Sequence, residues 1–149
     1  YLAVTPDDGV GSRMLPAHLH RIGQGGGDLG CRMERPLRSL PPGPVCVVGS
    51  DIPDIEVSDI RRAFTALGRA DVVFGPAADG GFWLVGMQRL RRQPRPFKGV
   101  AWSRSDTLAA VRANLDGYTV GETSNLCDVD GIADFRRVHG RFGRVVRPA

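Results

Sequence analysis

Lysine is almost missing from this chain. Lys98 is the single lysine among 20 basic residues in a length of 149. No Gly-x-x-x-x-Gly-Lys-[Ser/Thr] stretch occurs, which excludes a Walker loop. Cysteine is scarce and odd in number: Cys31, Cys46 and Cys127 stand far apart. That spacing fits neither a disulfide framework nor a zinc motif, and it suits a reducing cytoplasm. His18, His20 and His139 have no helical i, i+4 metal spacing. No run approaches the ~20 apolar residues of a membrane span, and no secretory signal is visible at the start. Aromatics make up 7% of the chain. None is interleaved with the Arg89, Arg91, Arg92 and Arg95 cluster, so a stacking surface for single-stranded nucleic acid is not indicated. The expected chain is a single domain over 1–149, without nucleic-acid or membrane partners.

What is present alternates. Tyr1–Thr5 reads as a strand, and residues 9–27 as a Gly-rich loop. A helix is expected from Asp28 or Leu29 to about Leu40, with Leu29, Met33 and Leu37 as its buried stripe. Val45–Gly49 reads as a strand buried on both faces. Val57–Leu67 reads as a helix with Ile60, Ala63, Phe64 and Leu67 inward. Strands follow at Asp71–Gly75 and Phe82–Met87, then an irregular stretch over 88–101. Ser103 and Asp106 form a capping-box-like pair ahead of a helix at about Ser105–Leu115. Tyr118–Gly121 reads as a strand, 131–138 as a short helix and Arg144–Arg147 as an extended tail. This order predicts an α/β fold, three layers with a mainly parallel mixed sheet.

Five loops carry candidate chemistry. Gly49-Ser50-Asp51-Ile52-Pro53 puts a carboxylate at the carboxyl end of a strand, where open α/β sheets bind ligands. Asp51 there is a candidate ligand for magnesium or manganese, ions that share their shell with substrate phosphates. The plain alternative is an Asp that tightens a turn. Gly75-Pro76-Ala77-Ala78-Asp79-Gly80-Gly81 joins two strands. Its Asp-Gly is a hairpin signal, while Asp79 is a candidate acid-base group beside the bare backbone of Gly80 and Gly81. Asp128 and Asp130 lie two apart, a spacing that turns both carboxylates to one side of an extended segment. Asp130 as a helix cap is the alternative. Gln24, Gly25 and Asp28 belong to a Gly-rich helix entry, a place where free amides attract anions. Trp102 and Ser103 are a core residue and a cap, or a lid over a ligand.

In order and spacing these loops resemble a bacterial family of glycosyltransferase-like proteins with the GT-A, nucleotide-diphospho-sugar transferase fold. Its members are associated with radical SAM or selenoprotein-domain genes. The pattern is a Gln-Gly-x-Gly-Asp-Leu-Gly loop, Gly-Thr/Ser-Asp-x-Pro, Gly-Pro-x-x-Asp-Gly-Gly-Tyr/Phe, Trp-Ser and Asp-x-Asp. Here the motifs stand at Gln24–Gly30, Gly49–Pro53, Gly75–Phe82, Trp102–Ser103 and Asp128–Asp130. The resemblance implies a transferase using a nucleotide sugar or nucleotide, a small-molecule acceptor and a divalent metal. Asp51, Asp128 and Asp130 would hold the metal, and Asp79 would serve the acceptor. Gln24, Gly25, Asp28, Ser50, Gly80, Gly81, Trp102 and Ser103 would line the donor. Family members open with a strand and a Lys-x-Pro-x-x-Gly-x-x-Lys-Thr-Arg loop that nothing here matches. The chain is therefore expected to be N-terminally truncated, with three alternatives: a fragment of a longer protein, a chain that has lost catalytic competence, or one whose missing edge a partner subunit supplies. The expected alternatives are a non-catalytic GT-A-like binding domain, with a homodimer covering the Tyr1–Thr5 edge, and a nucleotidyltransferase that releases pyrophosphate.

Overall fold

The computed structural model describes residues 1–90 and 93–127. Its strands are β1 (Leu2–Val4), β2 (Arg21–Gly23), β3 (Val45–Val48), β4 (Val72–Pro76), β5 (Phe82–Met87) and β6 (Val120–Glu122). Its helices are α1 (Leu29–Ser39), α2 (Val57–Leu67) and α3 (Thr107–Ala113), with a 3-10 turn at Asp7–Gly11. β1 and β2 pair in parallel as a two-stranded sheet, and the other strands form a four-stranded sheet in the order β3-β5-β4-β6. Within it β3, β4 and β6 share one direction, and β5 runs opposite to both of its neighbours. The sheet is mixed, with the reversed strand in its middle.

The apolar residues of β4 and β5 alternate between two cores, as a period of two requires. Val72, Phe74, Val85 and Met87 face Leu37 of α1 and Val111 of α3. Val73 and Leu84 face Ala63 and Leu67 of α2. Helices thus cover both faces, and the three-layer α/β/α arrangement follows. Each fully buried Leu, Val or Phe stabilises this arrangement by roughly 1.5–3 kcal/mol.

Several sequence expectations need correction. Val45–Val48 is not buried on both faces: its residues are half-buried and Val48 is exposed. The reason is position, since β3 is the terminal strand of its sheet. Leu29 and Phe64, expected to point inward, are 40% and 42% exposed. Residues 9–27 are not all loop. Arg21 heads β2 and donates to the carbonyls of Val10, Ser12 and Leu15, which organises the segment before it. The helix expected from Ser105 begins at Thr107 with Asp106 as its cap residue. The Asp106 carboxylate pairs with Arg104 instead of capping. Asp71–Gly75 and Phe82–Met87 pair antiparallel as a hairpin, the arrangement that the Asp-Gly signal between them indicates. The expected helix over 131–138, the tail Arg144–Arg147, and Arg91 and Arg92 lie outside the described residues. Among the described residues no helix is long and apolar enough to cross a membrane.

Candidate functional site

The loop after β3 carries Asp51. The amide of Gly49 donates to the Trp83 carbonyl at 2.9 Å, the last rung of the β3–β5 ladder. The chain then turns, and the Asp51 carboxylate folds back over Gly49. A Cβ at that glycine would lie 2.7 Å from Asp51 Oδ1, so a side chain there would push the carboxylate aside. Ile52 is buried in the core shared with α2 and anchors the loop. Among the described residues Asp51 itself has no hydrogen-bond or ion-pair partner. It lines a groove of about 820 Å³ with Gln24 and Ser50. That volume falls within the range of small-molecule sites.

The other expected residues divide into a second group. Residues 77–81 close the β4–β5 hairpin, with Ala77 N–H donating to the Gly81 carbonyl. Asp79 accepts the Gly81 amide at 2.8 Å through Oδ1, which ties one of its oxygens into its own turn. Gly80 has φ +90°, and a Cβ there would meet the Ser105 carbonyl at 1.9 Å. The turn therefore lies backbone to backbone against the entry to α3, where Leu108 N–H donates to the Gly80 carbonyl. Trp102 packs on Phe82 and Phe97, with ring centroids 6.5 and 5.8 Å away. Its neighbour Ser103 takes φ 58°, a left-handed conformation uncommon for a residue with a side chain. Ser103 is exposed and is not the cap of α3.

Trp102 also reaches α1. A Cβ at Gly30 would come within 2.8 Å of the indole, so the helix entry lies directly on the ring. Asp28 caps α1 by accepting the Cys31 amide at 2.8 Å. That hydrogen bond is the main cause holding the Asp28 carboxyl below its usual range, and Asp28 in turn raises the Cys31 thiol. The cap already uses one amide of the helix terminus. The neighbouring Gly25 amide is likewise taken by Asp7 at 2.8 Å. These two amides are engaged within the chain, so the anion-binding reading of the Gly-rich entry finds them occupied.

The structure thus brings Gln24, Ser50 and Asp51 to one groove. Trp102 packs in the aromatic cluster with Ser103 beside it and the α1 entry capped by Asp28 against its ring, while Gly80 and Gly81 lie in the hairpin turn against the entry to α3. Phe82 belongs to both, since it lines the groove and touches Trp102. Asp79 does not line the groove. Asp128 and Asp130 lie outside the described residues, and among those described no three His, Cys, Asp or Glu residues cluster as a metal cage. Leu126 bridges to Ala77 beside the hairpin turn. Sequence reasoning missed Arg32, whose Nε is buried without a partner in the same groove. It also missed Asp7, whose support for the Gly25 amide spans 18 residues and leaves no local signal.

A family model described as "uncharacterized protein conserved in bacteria (DUF2064)" matches residues 1–104. The chain belongs to this family, and the match includes four of the five loops. The crystal structure of a provisionally assigned nucleotide-diphospho-sugar transferase from Desulfovibrio desulfuricans G20 is similar, with a TM-score of 0.74 and 27% identity. The similarity covers 87% of this chain and 58% of that one, so the chain spans under two thirds of its solved neighbour. No curated protein matches. The fold is that of a nucleotide-diphospho-sugar transferase.

Proposed function

We propose that this bacterial chain is the glycosyltransferase-like part of a transferase, with a nucleotide-activated sugar as donor and a small molecule as acceptor. One observation carries the reading. Asp51, at the carboxyl end of β3, presents a carboxylate without a partner among the described residues to a groove it shares with Gln24 and Ser50. Likeness to the Desulfovibrio protein supports the donor class.

In this reading Asp51 holds a magnesium or manganese ion. A lone carboxylate beside a hydroxyl suits such an ion when substrate phosphates fill most of its shell. Asp128 and Asp130 complete the donor set. The bound metal would neutralise charge on the departing diphosphate. The protein's own groups do the rest. Gln24, Gly25, Asp28 and Ser50 border the donor. Gly80 and Gly81 offer bare backbone to the donor, and Trp102 with Ser103 lines the donor as well. Asp79, oriented by the Gly81 amide, takes the proton from the acceptor hydroxyl through its other oxygen.

Calorimetric titration with UDP or GDP, with and without manganese, tests the reading. The expected result is heat that needs manganese and is lost in Asp51→Ala. No metal-dependent heat, or unchanged binding in Asp51→Ala, argues for the second reading, a non-catalytic domain of the same fold. The position of Asp79 outside the groove that Asp51 lines favours that second reading.

A further inference from the structure

The arginine cluster singled out in the sequence divides in the fold. Arg91 and Arg92 lie outside the described residues. Arg89 is spent within the chain, where it donates to the carbonyls of Leu40, Pro41 and Gly43. Arg95 is exposed and, among the described residues, has no hydrogen-bond or ion-pair partner. It lines a pocket of about 350 Å³ with Cys31, Glu34, Arg35 and Arg38 of α1. That volume suits a small ligand. The pocket shares no lining residue with the Asp51 groove.

Three guanidiniums and one carboxylate line this pocket, a surplus of two positive charges. Glu34 is taken by Arg38: its Oε1 accepts from Arg38 Nε at 2.8 Å and from Nη2 at 2.6 Å. The rest of the Arg38 fork goes to Gln93 and the Pro94 carbonyl. Arg35 and Arg95 are left without a counter-charge among the described residues. Both are nonetheless held in place. Arg35 donates to the Gln24 carbonyl, and its guanidinium lies where a Cβ on Gly25 would be. Arg95 stands between two fully buried prolines, Pro94 and Pro96, whose carbonyls accept from Arg38 and Asn114. Proline fixes its own φ, so a stiff backbone presents Arg95. The nearby Asp28 carboxylate does not line the pocket and accepts the Cys31 amide instead. Cations arranged in advance lose little freedom when a ligand arrives.

We propose that the pocket between α1 and residues 93–95 is a second binding site, and that its ligand is a phosphate group, free or carried on a small molecule. Arg35 and Arg95 supply the N–H donors, since planar guanidinium forks match phosphate oxygens. A phosphate monoester carries about −1.5 to −2 at pH 7, which balances the surplus. A single carboxylate would leave one of the two charges uncompensated. The site stands apart from the Asp51 groove and does not depend on the donor chemistry proposed there.

Cys31 is exposed and lines the pocket, so its thiol reports on the occupant. The test follows alkylation of Cys31 by iodoacetamide near pH 8, read by mass spectrometry on the 149-residue chain at constant ionic strength. Inorganic phosphate, glucose 6-phosphate and acetate are titrated in separate arms. Each of the two phosphates is expected to slow Cys31 at saturation by about threefold or more, because a bound anion covers the thiol and disfavours its thiolate. Acetate is expected to leave the rate unchanged. Arg95→Gln and Arg35→Gln are each expected to raise the half-protecting phosphate concentration by about tenfold or more, the loss of a charge-assisted contact. Both positions are exposed, and a folding failure in one variant leaves the other to decide. Tighter protection by glucose 6-phosphate identifies a carried phosphate as the ligand, and equal protection identifies the free ion. No protection by either phosphate, equal protection by acetate, equal slowing at Cys127, or protection unchanged in both variants overturns the proposal.

Discussion

β4 and β3 are near twins in sequence and opposites in surroundings. Val72, Val73 and Phe74 of β4 are fully buried between β5 and β6, with helices on both faces. Among the described residues the Val-Cys-Val-Val of β3 has a neighbour on one side only, and its last valine is exposed. The difference shows that an apolar run specifies a strand that can be buried. Burial itself comes from the elements beside it. Among the described residues β4 lies inside its sheet, and β3, which leads to Asp51, lies at its end.

The sharpest way to break that comparison is to remove bulk from the inside and from the end of the sheet. Leu84→Ala, at a fully buried position on β5, should cost about 2–5 kcal/mol through lost burial and a residual cavity. Val48→Ala on the open edge should cost about 0.5 kcal/mol or less. Midpoints of urea unfolding measure both, and equal costs would show that the two places are packed alike.

A smaller contrast lies in the helix caps. Asp59 is 3% exposed at the start of α2, where it accepts the Glu56 amide and pairs with Arg62. Asp28 caps α1 from an exposed position. Asp59→Ala is expected to cost about 1–3 kcal/mol, more than Asp28→Ala. The Asp59 carboxyl is held below its ordinary value of 3.8 by the Ser124 hydroxyl first, then by the Glu56 amide and Arg62. Its folded value is depressed, so its contribution is fully present above pH 4 or so and is lost as pH falls through the folded value. Denaturation profiles between pH 7 and pH 2 should therefore converge for wild type and Asp59→Ala at the acid end. A constant gap at all pH values would contradict this.

The smallest contrast is in thiol reactivity. Burial pushes the Cys46 thiol up to about 12, whereas the exposed Cys31 is raised chiefly by the Asp28 carboxylate. Alkylation near pH 8 should leave Cys46 unmodified in the folded protein. It should proceed a few times faster at Cys31 in Asp28→Asn, because removal of the negative charge favours the thiolate. An unchanged Cys31 rate would separate that thiol from Asp28.

Much of the scaffold was legible in the sequence because it is encoded locally. The 3.6-residue period set α2 to Val57–Leu67, and the apolar run set β5 to Phe82–Met87. The Asp-Gly turn signal between β4 and β5 was also visible, and the two strands do pair as a hairpin. What could not be read was long-range. β2 is three residues long and owes its place to pairing with β1. The exposure of Phe64 and Leu29 follows from the groove that both line. Of the site, Asp51 could be placed at a strand end from its motif alone. The separation of Asp79 from that groove depends on a hydrogen bond inside a turn that composition cannot reveal.

The account rests on Asp51 gathering a cation together with a nucleoside diphosphate. Manganese is paramagnetic, so adding it with UDP or GDP to isotope-labelled protein locates the ion through the amide signals it broadens. The account predicts that, among the described residues, broadening is strongest at Gly49, Ser50 and Asp51 and is lost in Asp51→Ala. Broadening centred on Asp7 and Asp8, or none beyond that of free manganese, would contradict it.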